Sequence, residues 1–220
     1  MIASPNTHIK VCCISSKAEA QMAIDYGASA LGLVGNMPSG PGVISDELIQ
    51  KIANITPPSI ATFLLTSETK ASDIVEHHRR VKTNTIQIVD ALAEGGYHDI
   101  REAIPGIKLV QVIHVIDERS VEEAIHVAEH VDVVLLDSGN PNLAVKELGG
   151  TGRVHNWDLS KLIREEINIP LFLAGGLNHT NVREAIDYVQ PYGVDLCSGV
   201  RTNGKLDQKK LGAFFQAITK

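Results

Sequence analysis

Three observations predict that the 220-residue chain is an α/β protein folded as a single (β/α)8, or TIM, barrel. Eight short β-branched runs alternate with eight amphipathic ones, only 4% of residues are aromatic, and the glycine clusters fall late in the chain. Alternation of this kind predicts parallel strands joined by crossover helices, and an aliphatic palette suits a sheet covered on both faces. Compact barrels need about 200 residues, so one domain accounts for residues 1–220. The structural rival is a doubly wound open sheet, which carries a Gly-rich phosphate turn after its first strand. Here the first run passes into Cys12-Cys13-Ile14-Ser15-Ser16 without a glycine, so the closed barrel is the better reading.

In chain order, the predicted strands cover 9–14, 30–34, 60–65, 85–89, 108–115, 131–136, 170–174 and 194–198. Helical periodicity follows each of them, at 17–26, 46–54, 70–80, 97–104, 120–129, 158–166, 178–189 and 208–219. In the fifth helix Val121, Ala124, Ile125 and Ala128 form an apolar stripe, with Glu122, Glu123 and Glu129 outside it. Trp157 is expected to pack against the barrel at the start of the sixth, and Asn178 to cap the seventh. The longest irregular stretch, 138–156, follows the sixth strand, on the face where a barrel carries substrate loops or a lid.

The bulk numbers narrow the function. A net charge of −6 and the lack of a basic run argue against nucleic acid or an anionic membrane as partner. No apolar run approaches the ~20 residues of a membrane span. The opening MIASPNTHIK lacks a basic start followed by an apolar stretch, so the cytoplasm is the expected compartment. Cys12, Cys13 and Cys197 do not form a disulfide framework. Adjacent Cys12 and Cys13 point to opposite faces of a strand, which works against shared metal ligation, so no metal site is expected. Cys13 and Cys197 are read as packing residues. His77, His78, His126 and His130 lie on outer helices and read as surface residues, and His114 as a core histidine.

Three late segments share one chemistry: Gly149-Gly150-Thr151-Gly152, Ala174-Gly175-Gly176-Leu177-Asn178 and Ser198-Gly199-Val200. Glycine lets backbone N–H groups converge on an anion, and barrel phosphate sites recur after strands seven and eight. Gly150, Gly152, Gly175, Gly176, Ser198 and Gly199 are therefore the candidate phosphate ligands, against the plainer reading of tight turns. Cys12, near the C-terminal end of the first strand, and Asp137, at the mouth of the apolar run Val133-Val134-Leu135-Leu136, are the candidate acid–base pair. A desolvated Asp137 should hold its proton, and a thiolate can act as base where a cation or dipole supports it. The plainer readings are a buried apolar cysteine and a loop or capping acid.

These residues together resemble the phosphoribosylanthranilate isomerase family. The resemblance rests on Lys10-Val11-Cys12-Cys13-Ile14, Leu136-Asp137-Ser138, the glycine triplet 149–152, Leu173-Ala174-Gly175-Gly176-Leu177, Asn181-Val182 and Val194-Asp195-Leu196-Cys197-Ser198-Gly199-Val200. It implies an Amadori rearrangement of a phosphoribosylated arylamine without metal or organic cofactor, with Cys12 as the base at C2 and Asp137 as the acid at the ring oxygen. It implies a phosphorylated small molecule as ligand and a monomer or homodimer as assembly. The sequence departs from the family pattern at four places. Cys13 stands where the family has glycine, Gly42 where it has an arginine for the anthranilate carboxylate, Val89-Asp90 where it has His-Gly, and Arg201 where it has glutamate. Either Arg201 or Arg153 supplies the missing charge or the aglycone differs, which leaves two other readings. One is an isomerase of another phosphorylated sugar or amine using the same pair. The other is a barrel that binds such a ligand without turning it over.

Overall fold

The computed structural model describes residues 7–140, 142–143 and 146–219; residues 1–6, read above for a leader, lie outside it. Eight parallel strands close into a barrel in chain order. They are β1 His8–Val11, β2 Ala30–Val34, β3 Ala61–Thr66, β4 Thr85–Ile88, β5 Lys108–His114, β6 Val133–Asp137, β7 Leu171–Leu173 and β8 Gly193–Leu196. Closure comes from β1 against β8, with His8 opposite Gly193 through to Val11 opposite Leu196. The helices α1 Lys17–Asp25, α2 Asp46–Ile55, α3 Ala71–Val81, α4 Tyr97–Ala103, α5 Arg119–Ala128, α6 Trp157–Glu166, α7 Val182–Val189 and α8 Gln208–Thr219 follow the strands one by one. Several starts are capped as their sequences dictate. Ser16 accepts from Glu19 N, Ser45 from Leu48 N and Asn156 from Asp158 N, each cap contributing about 1 kcal/mol.

The period of two along each strand splits the apolar residues into two cores. Ile9, Val11, Val134, Leu136, Val194 and Leu196 face the helix layer. Phe63, Val110, Val112, Leu135 and Phe172 fill the barrel interior. The same alternation sends Lys10, Cys12, Asp137, Asp195 and Cys197 inward, at or just past the C-terminal ends of β1, β6 and β8. This is how an ordinary barrel pattern comes to carry charged groups inside.

Differences from the sequence reading are local. β1 ends at Val11 because Cys13 takes the left-handed conformation (φ 60°), which breaks the strand before Ile14. α7 begins at Val182, since Asn178, Thr180 and Asn181 tie up their own loop: Asn181 Oδ1 accepts from Asn178 N, and Asn178 Oδ1 from Thr180 N. Asn178 is thus a loop residue and does not cap the helix. In α5 the buried face runs through Val121, Ala124 and Val127, leaving Ile125 exposed. His77 and His78 are buried, not surface residues: His77 bridges Thr66 and Asp46, and His78 pairs with the Thr83 carbonyl. A small hairpin after β8, β9 Arg201–Thr202 with β10 Lys205–Leu206, was not foreseen. No helix of the described residues is long and apolar enough to cross a membrane.

Candidate active site

The C-terminal mouth of the barrel holds a cavity lined by Cys12, Cys13, Gln87, Asp137, Gly150, Gly152, Gly175, Gly176, Asp195, Cys197 and Ser198 together with apolar residues such as Leu65 and Leu135. At its floor Lys10, with no exposed surface, places Nζ 2.6 Å from Asp195 Oδ2 and 5.2 Å from the centre of the Phe63 ring. Burial alone would lower the pKa of Lys10. Asp195, with Cys12 and Cys13 adding to it, more than offsets that and holds the ammonium above the ordinary lysine range. Burial also pushes the Asp195 carboxyl up, and Lys10 limits the rise. Cys12 follows β1 directly, its amide still bonded to the Leu196 carbonyl at 2.8 Å. Opposite it, β2 offers Gly32, where a Cβ would come within 2.8 Å of Cys12 Sγ and 3.2 Å of Lys10 Nζ. The thiol therefore has room only because that position is glycine.

Asp137, at the end of β6, is buried, with Oδ1 accepting from Ser138 N at 2.8 Å. Burial pushes its pKa above the usual carboxylate range. Nearby Asp195 adds to the rise, while the Ser138 amide, His114 and Lys10 restrain it. Such a carboxyl keeps its proton where a surface aspartate has lost it, which suits a general acid. Gly149 lies over it, since a Cβ there would stand 2.7 Å from Asp137 Oδ2. His114, register partner of Asp137, turns its Nε2 to the Val89 carbonyl at 3.0 Å and does not line the cavity.

The late glycines meet at the other side of the same cavity. Gly175 and Gly176 have φ of 82° and 64°, a left-handed pair that turns successive N–H groups to one side. A Cβ on Gly152 would touch Ser198 Oγ at 3.3 Å, so the loops after β6 and β8 converge there. Ser198 opens a single 3-10 turn, Ser198–Val200. Gly199 does not line the cavity; it packs against the Leu177 carbonyl and Asn178. The loop after β6 closes over the mouth. Thr151 Oγ1 meets Ser138 Oγ at 2.6 Å, and the Lys146 carbonyl accepts from Ser39 in the loop after β2.

The two arginines expected at the aglycone end are elsewhere. Arg201 is buried against the outside of β1, its guanidinium donating to the carbonyls of Cys12 (3.1 Å), Cys13 (2.5 Å) and Gly204 (3.0 Å) and pairing with Glu19 at 3.2 Å. It is a clamp, not a ligand. Arg153 turns outward to Glu147. Among the described residues no Lys, Arg or His lines the cavity. The absence of a side chain at Gly42 has a local cause: its φ is 83°, and a Cβ there would meet Cys13 Cβ at 2.5 Å.

The family model for N-(5'-phosphoribosyl)anthranilate (PRA) isomerase matches residues 9–217. The chain belongs to this family. It is 36% identical over 225 aligned positions to the N-(5'-phosphoribosyl)anthranilate isomerase of Methanosarcina acetivorans, covering 96% of this chain and 93% of that protein. A Methanosarcina mazei isomerase is likewise 36% identical, over 92% of this chain and 90% of its own. Among solved structures, the Thermotoga maritima enzyme superposes with a TM-score of 0.79 at 28% identity, over 97% of this chain and 98% of that one. Another isomerase, in complex with reduced 1-(o-carboxyphenylamino)-1-deoxyribulose 5-phosphate, gives 0.77 at 26% identity with the same coverage.

Within this family frame, sequence reasoning missed Lys10, Asp195, Gly32 and Gln87 as parts of the site. Two of them left a signal. A lysine in Ile9-Lys10-Val11 and an acid in Val194-Asp195-Leu196 sit at the inward positions of apolar strands, where a charge needs a partner. Cys13 and Cys197, read as packing residues, also line the cavity, and the left-handed turn at Cys13 brings its thiol to the same side as that of Cys12.

Proposed function

We infer that the chain is a phosphoribosylanthranilate isomerase that uses Cys12 as base and Asp137 as acid. The observation that carries the reading is one cavity holding a thiol, a buried carboxyl whose pKa burial raises, and a glycine cup. The cup of Gly150, Gly152, Gly175, Gly176 and Ser198 takes the 5'-phosphate through backbone N–H groups and the serine hydroxyl. That fixes the ribose with its ring oxygen toward Asp137 and its C2 hydrogen toward Cys12. Asp137 gives its proton to the ring oxygen as the C1–O bond breaks, and the nitrogen lone pair forms the C1=N bond of an open-chain Schiff base. The Cys12 thiolate takes the C2 proton, and the electrons move to C1–C2 and nitrogen, giving an enolamine. Tautomerisation leaves a ketone at C2 and an amine at C1. C1 is reduced and C2 oxidised within one molecule, so the chemistry needs no external redox partner.

Lys10 stands beside the base: a Cβ at Gly32 would lie 2.8 Å from Cys12 Sγ and 3.2 Å from Lys10 Nζ. Among the described residues, Gln87 Oε1 and Asp195 Oδ1 have no hydrogen-bond partner. Both residues line the cavity, where they can accept from sugar hydroxyls or the substrate amine. The aglycone end, with Met37, Ser39, Gly40 and Pro41, is neutral, so the anthranilate carboxylate is met there by neutral donors. On this reading the protein works in the cytoplasm on a phosphorylated small molecule. Freshly prepared phosphoribosylanthranilate tests it: the wild-type protein should consume it with loss of anthranilate fluorescence. Failure to do so, combined with turnover of a phosphosugar amine lacking the carboxylate, would transfer the mechanism to a different substrate.

A further inference from the structure

Three thiols meet at the seam where the barrel closes. Cys13 Sγ lies 2.7 Å from Cys197 Sγ and 3.9 Å from Cys12 Sγ. Since Val11 stands opposite Leu196, the register continued one step sets Cys197 opposite Cys12 and diagonal to Cys13, just beyond the paired strands. Neighbouring strands run about 4.8 Å apart, within the ~4.4–6.8 Å Cα separation that a disulfide spans. Cys13 is held at φ 60°, in the left-handed region that glycine favours, and this turns its thiol across the seam. Non-glycine residues held there concentrate at functional places. Its surroundings are arranged around it, Gly42 leaving space beside its Cβ and Arg201 binding its carbonyl. The two thiols differ in acidity. Contact with Cys12 and Cys197, with burial, pushes Cys13 up, whereas contact with Cys13 and the charge of Arg201 pull Cys197 down. Cys197 is thus the more acidic thiol of the pair.

We propose that Cys13 and Cys197 form a redox modification site, which a hydroperoxide oxidises to a disulfide joining the ends of β1 and β8. The Cys197 thiolate attacks the outer peroxide oxygen. The O–O bond breaks, the alcohol or water leaves with a proton, and Cys197 becomes a sulfenic acid. The Cys13 sulfur then attacks the Cys197 sulfur, the S–O bond breaks, and hydroxide leaves with the Cys13 proton as water. Two thiols lose two electrons and the peroxide gains them. In a reducing compartment such a bond is transient and reversible, as redox-sensing disulfides are. Cys13 is the partner of Cys197 because its sulfur is the one 2.7 Å away, and a bond between adjacent Cys12 and Cys13 would have to close a strained ring through their own peptide. The bridge removes the S–H that Cys13 directs to the Pro41 carbonyl at 3.5 Å, so it releases the wall of the cavity formed by Ser39, Gly40 and Pro41.

The test uses the reduced full chain, hydrogen peroxide and mass spectrometry. Oxidised protein should lose two hydrogens in mass. Non-reducing tryptic digestion should give a linked pair of peptides, 11–17 with 184–201, that dithiothreitol separates. The link should persist in Cys12→Ala and vanish in Cys13→Ser, Cys197→Ser and Cys197→Ala. Three alkylatable thiols after peroxide treatment, a link lost in Cys12→Ala, or sulfinic acid on Cys12 beside two free thiols would each overturn the proposal. A second arm rests on the isomerase reading: oxidation should lower turnover, with recovery in dithiothreitol. The mass result stands apart from that arm, so failure of the substrate assignment and failure of the disulfide are distinguishable.

Discussion

Asp137 sets chemistry against stability within one side chain. A buried carboxyl with a raised pKa is held neutral in the folded protein at a pH where the unfolded chain releases its proton. Its contribution is therefore complete below the ordinary aspartate value of about 3.9 and is lost as pH rises through the raised value. Asp137→Asn, neutral at every pH, escapes that loss. Thermal denaturation should show the variant gaining on the wild type as pH rises from acidic to mildly alkaline; a difference that stays flat or shrinks would count against a raised Asp137. Lys10 is the opposite case, since Asp195 keeps its charge. Lys10→Met leaves Asp195 buried without its cation, and breaking such pairs costs about 3–5 kcal/mol. Chemical denaturation measures this, and a loss below 1 kcal/mol, on the scale of exposed pairs, would contradict the ion-pair description.

At the scale of elements, the loops that follow β1, β2 and β8 are fitted to one another. Cys13 takes a glycine conformation, Gly42 gives up a side chain beside it, and Arg201 binds the carbonyls that end β1. Gly42→Ala should therefore cost more stability in the wild type than in a Cys13→Gly background. The coupling should be on the order of 0.5–3 kcal/mol in a double-mutant cycle, and equal costs would separate the two positions. The element pattern was largely legible in advance: strands of period two and helices of period 3.6 survive in all eight repeats because the barrel buries each strand on both faces. What the pattern could not carry was decided by single residues. Cys13 ends β1 early through its φ, and the side chains of Asn178, Thr180 and Asn181 delay α7. The β9–β10 hairpin had a readable signal, Asn203-Gly204 with φ of 50° and 76°, the dipeptide that favours tight hairpins. Arg201 could not be placed from sequence, because its partner Glu19 is 182 residues away.

At the scale of the whole molecule, closure of the barrel turns three separated glycine segments into one cup and sets it across the mouth from Cys12 and Asp137. Ligand binding should then stabilise the entire fold, since the cup draws on the loops after β6, β7 and β8. A phosphorylated product analogue at a hundred times its dissociation constant should add about 2.7 kcal/mol of stability. Gly176→Val, strained at a φ of 64° and pressed on Arg153, should lose most of that gain. The account stands most directly on the acid–base pair. The measurement is kcat on phosphoribosylanthranilate for wild type, Cys12→Ala and Asp137→Asn. Each variant should fall by about 10²–10⁴ in kcat while still binding the phosphorylated product. Either variant retaining near wild-type turnover would contradict the role given to it.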